Sequence, residues 1–126
     1  MKLVLDSGAL IALERNDRAM WRRMKAAHLA GHAAASHGGV VGQVWRGRGP
    51  RQTPLARALA GTTVHPLDER LGRAAGELLA RAKQSDVIDA ALVLLAEDGD
   101  HIITSDPDDI EPLALASGRH VELIRS

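Results

Sequence analysis

The chain has 126 residues, 45% of them hydrophobic, and no cysteine. That length suits a single domain over residues 1–126 with one core, and the missing thiols exclude a disulfide framework and a thiolate zinc site and fit a reducing cytoplasm. Net charge is zero, yet residues 1–63 hold ten Lys/Arg against three Asp/Glu (+7) and residues 64–126 hold six against thirteen (−7), which allows a basic surface beside an acidic pocket.

In chain order, MKLVLDSGALIAL has the apolar run of a short signal peptide. Asp6 interrupts it and no small-residue cleavage pattern follows, so it reads as a buried strand over 2–5 and a helix from Ala9 to Asn16. No apolar stretch reaches the roughly 20 residues that span a bilayer, so no membrane association is expected. A second helix is expected from about Asp17, its N-cap, to His28. A weak strand covers 32–36, a helix Gly38–Trp45 and a basic loop, RGRGPRQ, residues 46–52. Thr53-Pro54 opens the next helix with proline at an accepted position. Thr62–His65 reads as a short strand. Asp68 caps a helix to about Lys83, and Ser85 or Asp86 caps another to about Glu97. His101–Thr104, HIIT, is a buried strand, Pro107 starts a short helix, and Val121–Ile124 is the last strand. Helices alternating with short apolar strands predict an α/β fold with a parallel sheet covered on both faces.

In such sheets ligands gather outside the carboxyl ends of the strands. Asp6 follows the first strand directly and Asp106 lies two residues after HIIT, so both should face one crevice. Asp86 and Asp89, spaced i, i+3, share a helix face. Carboxylates converging there repel unless a cation sits between them, and oxygen ligands without cysteine point to Mg²⁺ or Mn²⁺. Ser7, Ser105 and Asp109 are possible supporting groups. Asp86 reads first as an N-cap, and Asp108 and Asp109 suit a helix's first turn whatever their function. Asp6 has no such ready explanation, and Asp89 precedes AALVLLA on a mostly buried helix, where an unpaired carboxylate is costly. The six histidines form no site and read as solvent-facing or hydrogen-bonded. No serine has a base partner and no P-loop pattern occurs.

LVLDSGALIAL, VVGQVWRG, SDVIDAALVLLA and IITSDPDDI, in that order, resemble the PIN domain, and more narrowly the VapC-type toxins of bacterial toxin–antitoxin pairs. The resemblance covers essentially the whole chain. It implies an α/β/α sandwich of about five strands and a Mg²⁺- or Mn²⁺-dependent ribonuclease with metal ligands Asp6, Asp89 and Asp106. It also implies a cognate antitoxin and a homodimer. The family usually has a glutamate within VVGQVWR; this chain has Gln43, which removes one negative charge and motivates the rival reading of a weak or inactive module that binds RNA or protein. Arg46, Arg48, Arg51 and Arg57 are the expected phosphate contacts. With no Phe or Tyr and two Trp, base stacking should matter little, which favours structured RNA. Met20, Trp21 and Met24 are the expected groove for the antitoxin. A haloacid-dehalogenase-like site would need a second Asp where Gly8 stands, and a response-regulator receiver lacks its paired acid and late lysine.

Overall fold

Five strands, Leu3–Leu5 (β1), Ala34–His37 (β2), Thr62–His65 (β3), His101–Thr104 (β4) and Glu122–Arg125 (β5), pair in parallel in the order β3-β2-β1-β4-β5. The computed structural model describes residues 1–50 and 52–126. β1 is central and wholly buried, as is most of β4, which is why LVL and HIIT are apolar without alternation. The edge strands β3 and β5 are more exposed and more polar.

Among the described residues, seven helices cover the two faces: Ser7–Glu14 (α1), Arg18–Leu29 (α2), Gly38–Val44 (α3), Gln52–Ala60 (α4), Glu69–Ala82 (α5), Val87–Val93 (α6) and Pro107–Ser117 (α7). Helix α1 packs on α2, α3 and α4, while α5, α6 and α7 pack on one another. The result is the three-layer sandwich expected from the alternation. The core joins Leu3, Leu5, Leu10, Leu13, Leu55, Leu78, Leu92, Ile102, Ile103, Ile110 and Leu113 across the layers. The chain runs outward from β1 through β2 to β3, then crosses to β4 on the other side of β1. That reversal leaves a crevice outside the carboxyl ends of β1 and β4.

Several boundaries differ from expectation for local reasons. Helix α1 starts at Ser7 because Asp6 caps it, and stops at Glu14 because Asn16 turns left-handed (φ 59°). Strand β2 is shifted to Ala34–His37, in register with Leu3 and Val4. Helix α3 stops at Val44, with Trp45 extended, and α4 begins at Gln52, one residue before Thr53. Helix α6 stops at Val93 instead of Glu97. There the Arg119 guanidinium takes the Leu94 and Ala96 carbonyls, each at 2.6 Å, and Asp100 accepts the Glu97 N–H at 2.8 Å. Side chains from elsewhere in the fold thus end a helix whose own composition would have continued it. Helix α7 runs eleven residues, and β5 lies one residue later than Val121–Ile124.

Candidate active site

Asp6 leaves β1 at its carboxyl end and is only 7% exposed. Its Oδ1 accepts the Ala9 N–H at 2.9 Å and its Oδ2 the Ser105 N–H at 3.2 Å. The residue that sequence left without a structural explanation therefore has one: it caps α1 and ties β4's exit to β1. Each carboxylate oxygen keeps a lone pair for another partner. Gly8 permits this approach, because a Cβ there would overlap the Ser105 side chain.

At the end of β4, Thr104 Oγ1 accepts the Asp106 N–H at 2.9 Å and fixes the turn that carries Asp106. Asp106 occupies the N-cap position of α7 without a side-chain capping bond, so its exposed carboxylate is not consumed by the helix. Asp109, one turn on, is pushed up by a hydrogen bond with the Asp106 carboxyl and by its charge. Asp86 is the N-cap of α6, accepting the Asp89 N–H at 3.0 Å, as its position suggested.

Asp89 is the perturbed acid of the group. Burial, then the charges of Asp86, Asp6, Asp109 and Asp106, push its carboxyl up to about 6. Asp89 thus feels four other carboxylates, from β1's exit, α6 and α7. Among the described residues no three acidic, histidine or cysteine side chains stand close enough to form a closed chelate. The donor chemistry suits a hard divalent cation, which would relieve the repulsion that Asp89 registers; a full ligand shell would need these side chains to draw in or water to complete it.

Other expected site residues fall differently. Ser7 opens α1, half-buried, and Ser105 contributes its backbone N–H to Asp6. Gln43 sits exposed near the end of α3, and among the described residues its side chain makes no hydrogen bond to an acid. Arg46 is not a free phosphate contact: its guanidinium closes the end of α3 on the Gly42, Gln43 and Trp45 carbonyls at 3.3, 3.2 and 2.8 Å. Arg48 is exposed, and Arg51 lies outside the described residues. Arg57 lines a cavity at the opposite, amino end of β2 and β3.

Sequence reasoning missed two basic groups placed around Ser105. Arg125, at the carboxyl end of β5, donates to the Ser105 carbonyl at 3.1 Å. Arg15 borders a cavity of about 430 Å³ that Gly8 and Ser105 also line. A lone arginine in a final strand gives no signal until β5 is known to pair with β4. His37, at the end of β2, is hydrogen-bonded, one of the two readings its sequence position allowed, but it is fully buried rather than solvent-facing.

The expected partner groove is partly core. Met20 is buried. Trp21 is half-buried, its indole N–H donating to the Leu13 carbonyl at 3.1 Å. Trp21 and Met24 line a cavity of about 510 Å³ with Lys25, His28, His32 and Arg57. The strip on α2 that stays open is therefore Trp21 and Met24 with basic neighbours, while Met20 anchors the helix from beneath.

The architecture is that of a PIN-like fold. A solved structure titled VapBC2 from Rickettsia felis, bound to a DNA fragment from their promoter, contains a chain that superposes with a TM-score of 0.67 over 98% of both chains at 11% identity. At that identity the likeness speaks for the fold alone. No protein-family model matches this sequence, and no curated protein does.

Proposed function

We propose that this chain is a Mg²⁺- or Mn²⁺-dependent endoribonuclease and the toxin of a toxin–antitoxin pair, cutting structured RNA. One observation carries the reading: a half-buried aspartate beside the switch point of a PIN-like sheet is raised to about 6 by burial and by the charges of four other carboxylates. Asp6, Asp89 and Asp106 would hold the ion, with Asp86 and Asp109 beside them. When bound, the ion supplies Lewis acidity toward a phosphoryl oxygen. The chain's own part is to hold Asp6 rigid through the Ala9 and Ser105 amides, and to offer Arg125, Arg15 and Arg48 to flanking phosphates.

The test is purified protein with a folded RNA, with Mg²⁺ or Mn²⁺ and with a chelator. Cleavage that needs the ion and disappears in Asp89→Asn is expected. RNA binding with no ion-dependent cleavage would instead make the chain a binding module, the role Gln43 invites.

The antitoxin partner belongs to the same proposal, and so does the homodimer. The neighbour's title describes VapBC2, and the cavity at Trp21 and Met24 is bordered by Lys25, His28 and Arg57. It suits an apolar segment flanked by acids. Because Trp21 also bonds to Leu13, the cleaner variant is Lys25→Glu with Arg57→Glu, two exposed positions. Co-expression with a candidate antitoxin encoded beside this chain should lose the complex in this variant while RNA cleavage persists; an undiminished complex would move the groove elsewhere.

A further inference from the structure

His37 has no exposed surface, yet it lies on no part of the acid site. It closes β2, and its ring makes two bonds in different directions. Nδ1 accepts the Gly39 N–H at 3.1 Å, capping α3. Nε2 lies 2.9 Å from the Ile88 carbonyl. A carbonyl only accepts and an amide N–H only donates, so the network requires the neutral tautomer with its proton on Nε2. Burial acts in the same direction, holding the imidazole below its ordinary value. Ile88 is the residue before Asp89, in the first turn of α6. A second contact joins the same two segments: a Cβ on Gly39 would come within 2.5 Å of Ile88 Cδ1 and 2.9 Å of His37 Cε1, so the Ile88 side chain rests on the bare Gly39 backbone.

The first turn of α6 needs such an anchor. The helix has seven residues, too few to hold itself in place, and it follows the exposed stretch Lys83–Val87. We infer that His37 is a positioning residue for the acid site, its neutral imidazole and the Gly39 seat fixing the first turn of α6, and so Asp89, against the β2–α3 junction. This rests on the proposed reading of Asp89 as a metal ligand. The bond to Ile88 would hold Asp89 near Asp6 before any ion arrives, which lowers the cost of closing the ligand shell.

Two substitutions separate the ring's two bonds. In His37→Gln the side-chain amide nitrogen reaches the place of Nε2 and can still donate to Ile88, while the cap is lost. In His37→Asn the amide oxygen takes the place of Nδ1 and caps α3 well, while the reach to Ile88 is lost. Melting temperature, amide hydrogen exchange of Asp89 to Val93, and Mn²⁺ affinity by calorimetry are measured on each. His37→Asn should be the more stable of the two, yet exchange faster across α6 and bind Mn²⁺ about tenfold more weakly than His37→Gln. If exchange and Mn²⁺ affinity instead follow the order of melting temperatures, His37 is a structural residue and the inference is wrong. Wild-type protein that binds no Mn²⁺ would overturn the ribonuclease reading, and the exchange order would then still decide the anchoring of α6. Should neither variant fold, Gly39→Ala keeps the imidazole and presses on Ile88. Weaker Mn²⁺ binding or faster α6 exchange there supports the anchor, and wild-type values of both reject it.

Discussion

The two ends of the central strand pair β1–β4 each carry an aspartate whose titration is shifted, and the shifts run in opposite directions. At the amino end Asp100, 6% exposed, precedes β4. Its oxygens accept the Lys2 and Glu97 amides at 2.7 and 2.8 Å, and the Lys2 ammonium stands 3.5 Å away. Burial alone would raise it; the two amides and Lys2 overcome that and hold it below the ordinary carboxylate range. At the carboxyl end Asp89 is half-buried among acids, and burial together with their charges raises it to about 6. One end spends its acid on stability. The other carries an electrostatic cost that no cation among the described residues offsets, the kind of imbalance that singles out a candidate site.

The sharpest way to break this comparison is to make the same change at both ends. Asp6→Asn should reduce ion-dependent RNA cleavage by about 10²-fold or more, because several kcal/mol of charge stabilisation rest on the acid set it belongs to. Its fold should survive, since asparagine also caps well and only the Ser105 bond is lost. Asp100→Asn should do the reverse, costing about 2 kcal/mol by urea titration through the lost Lys2 ion pair and one lost acceptor, with cleavage per folded molecule unchanged. Wild-type cleavage by Asp6→Asn would show the site is misplaced.

The difference between the ends was only half legible in the sequence. The alternation of elements gave the parallel sheet, and Asp6, Asp89 and Asp106 were visible because each follows or opens an apolar element where an acid is costly. Asp100 was hidden in EDGDH, which reads as an ordinary polar loop; its importance depends on Lys2, 98 positions away. Likewise the end of α6 is set by Arg119 and Asp100 rather than by its own residues. Asp6's capping role was readable in principle, since an aspartate three residues before Ala9 fits an N-cap, but an acid ending an apolar strand is equally the pattern of a site. Arg125 and His37 act through pairings between distant segments, to which local patterns are blind.

Titration offers a milder test. Between the ordinary aspartate value, near 3.9, and about 6, folded protein keeps a proton on Asp89 that the unfolded chain has released. The folded state therefore binds more protons in that window, and stability of the metal-free protein falls as pH rises through it. The loss should be about 1–2 kcal/mol once solvent screening at a half-buried group is allowed for. Asp100 works the other way, its contribution being present above the ordinary value and lost only as pH falls below it. Denaturant midpoints from pH 3 to 7 should show the decline in wild type and a flatter profile in Asp89→Asn. An unchanged slope in that variant would assign the decline to another group.

The smallest effect is expected at Gln43, and it tests how far the acidic end extends. Its side chain is exposed in the last turn of α3, and only its carbonyl is engaged, by Arg46 at 3.2 Å. Substitution there should change stability by no more than about 0.5 kcal/mol. Gln43→Glu restores the charge that the PIN resemblance leads one to expect. If α3 turns that position toward the crevice when an ion is held, Gln43→Glu should tighten Mn²⁺ binding, by tenfold or less for one exposed carboxylate, at about 1.4 kcal/mol per tenfold. Gln43→Ala should lower cleavage far less than Asp6→Asn, because an amide can at most hold a ligand or water that the three aspartates do not already fix. Calorimetry with Mn²⁺ and cleavage rates on one folded RNA would check both. Loss of all cleavage in Gln43→Ala would place the amide among the essential groups and carry the acidic end across to α3; no response to either substitution would confine it to β1, α6 and α7.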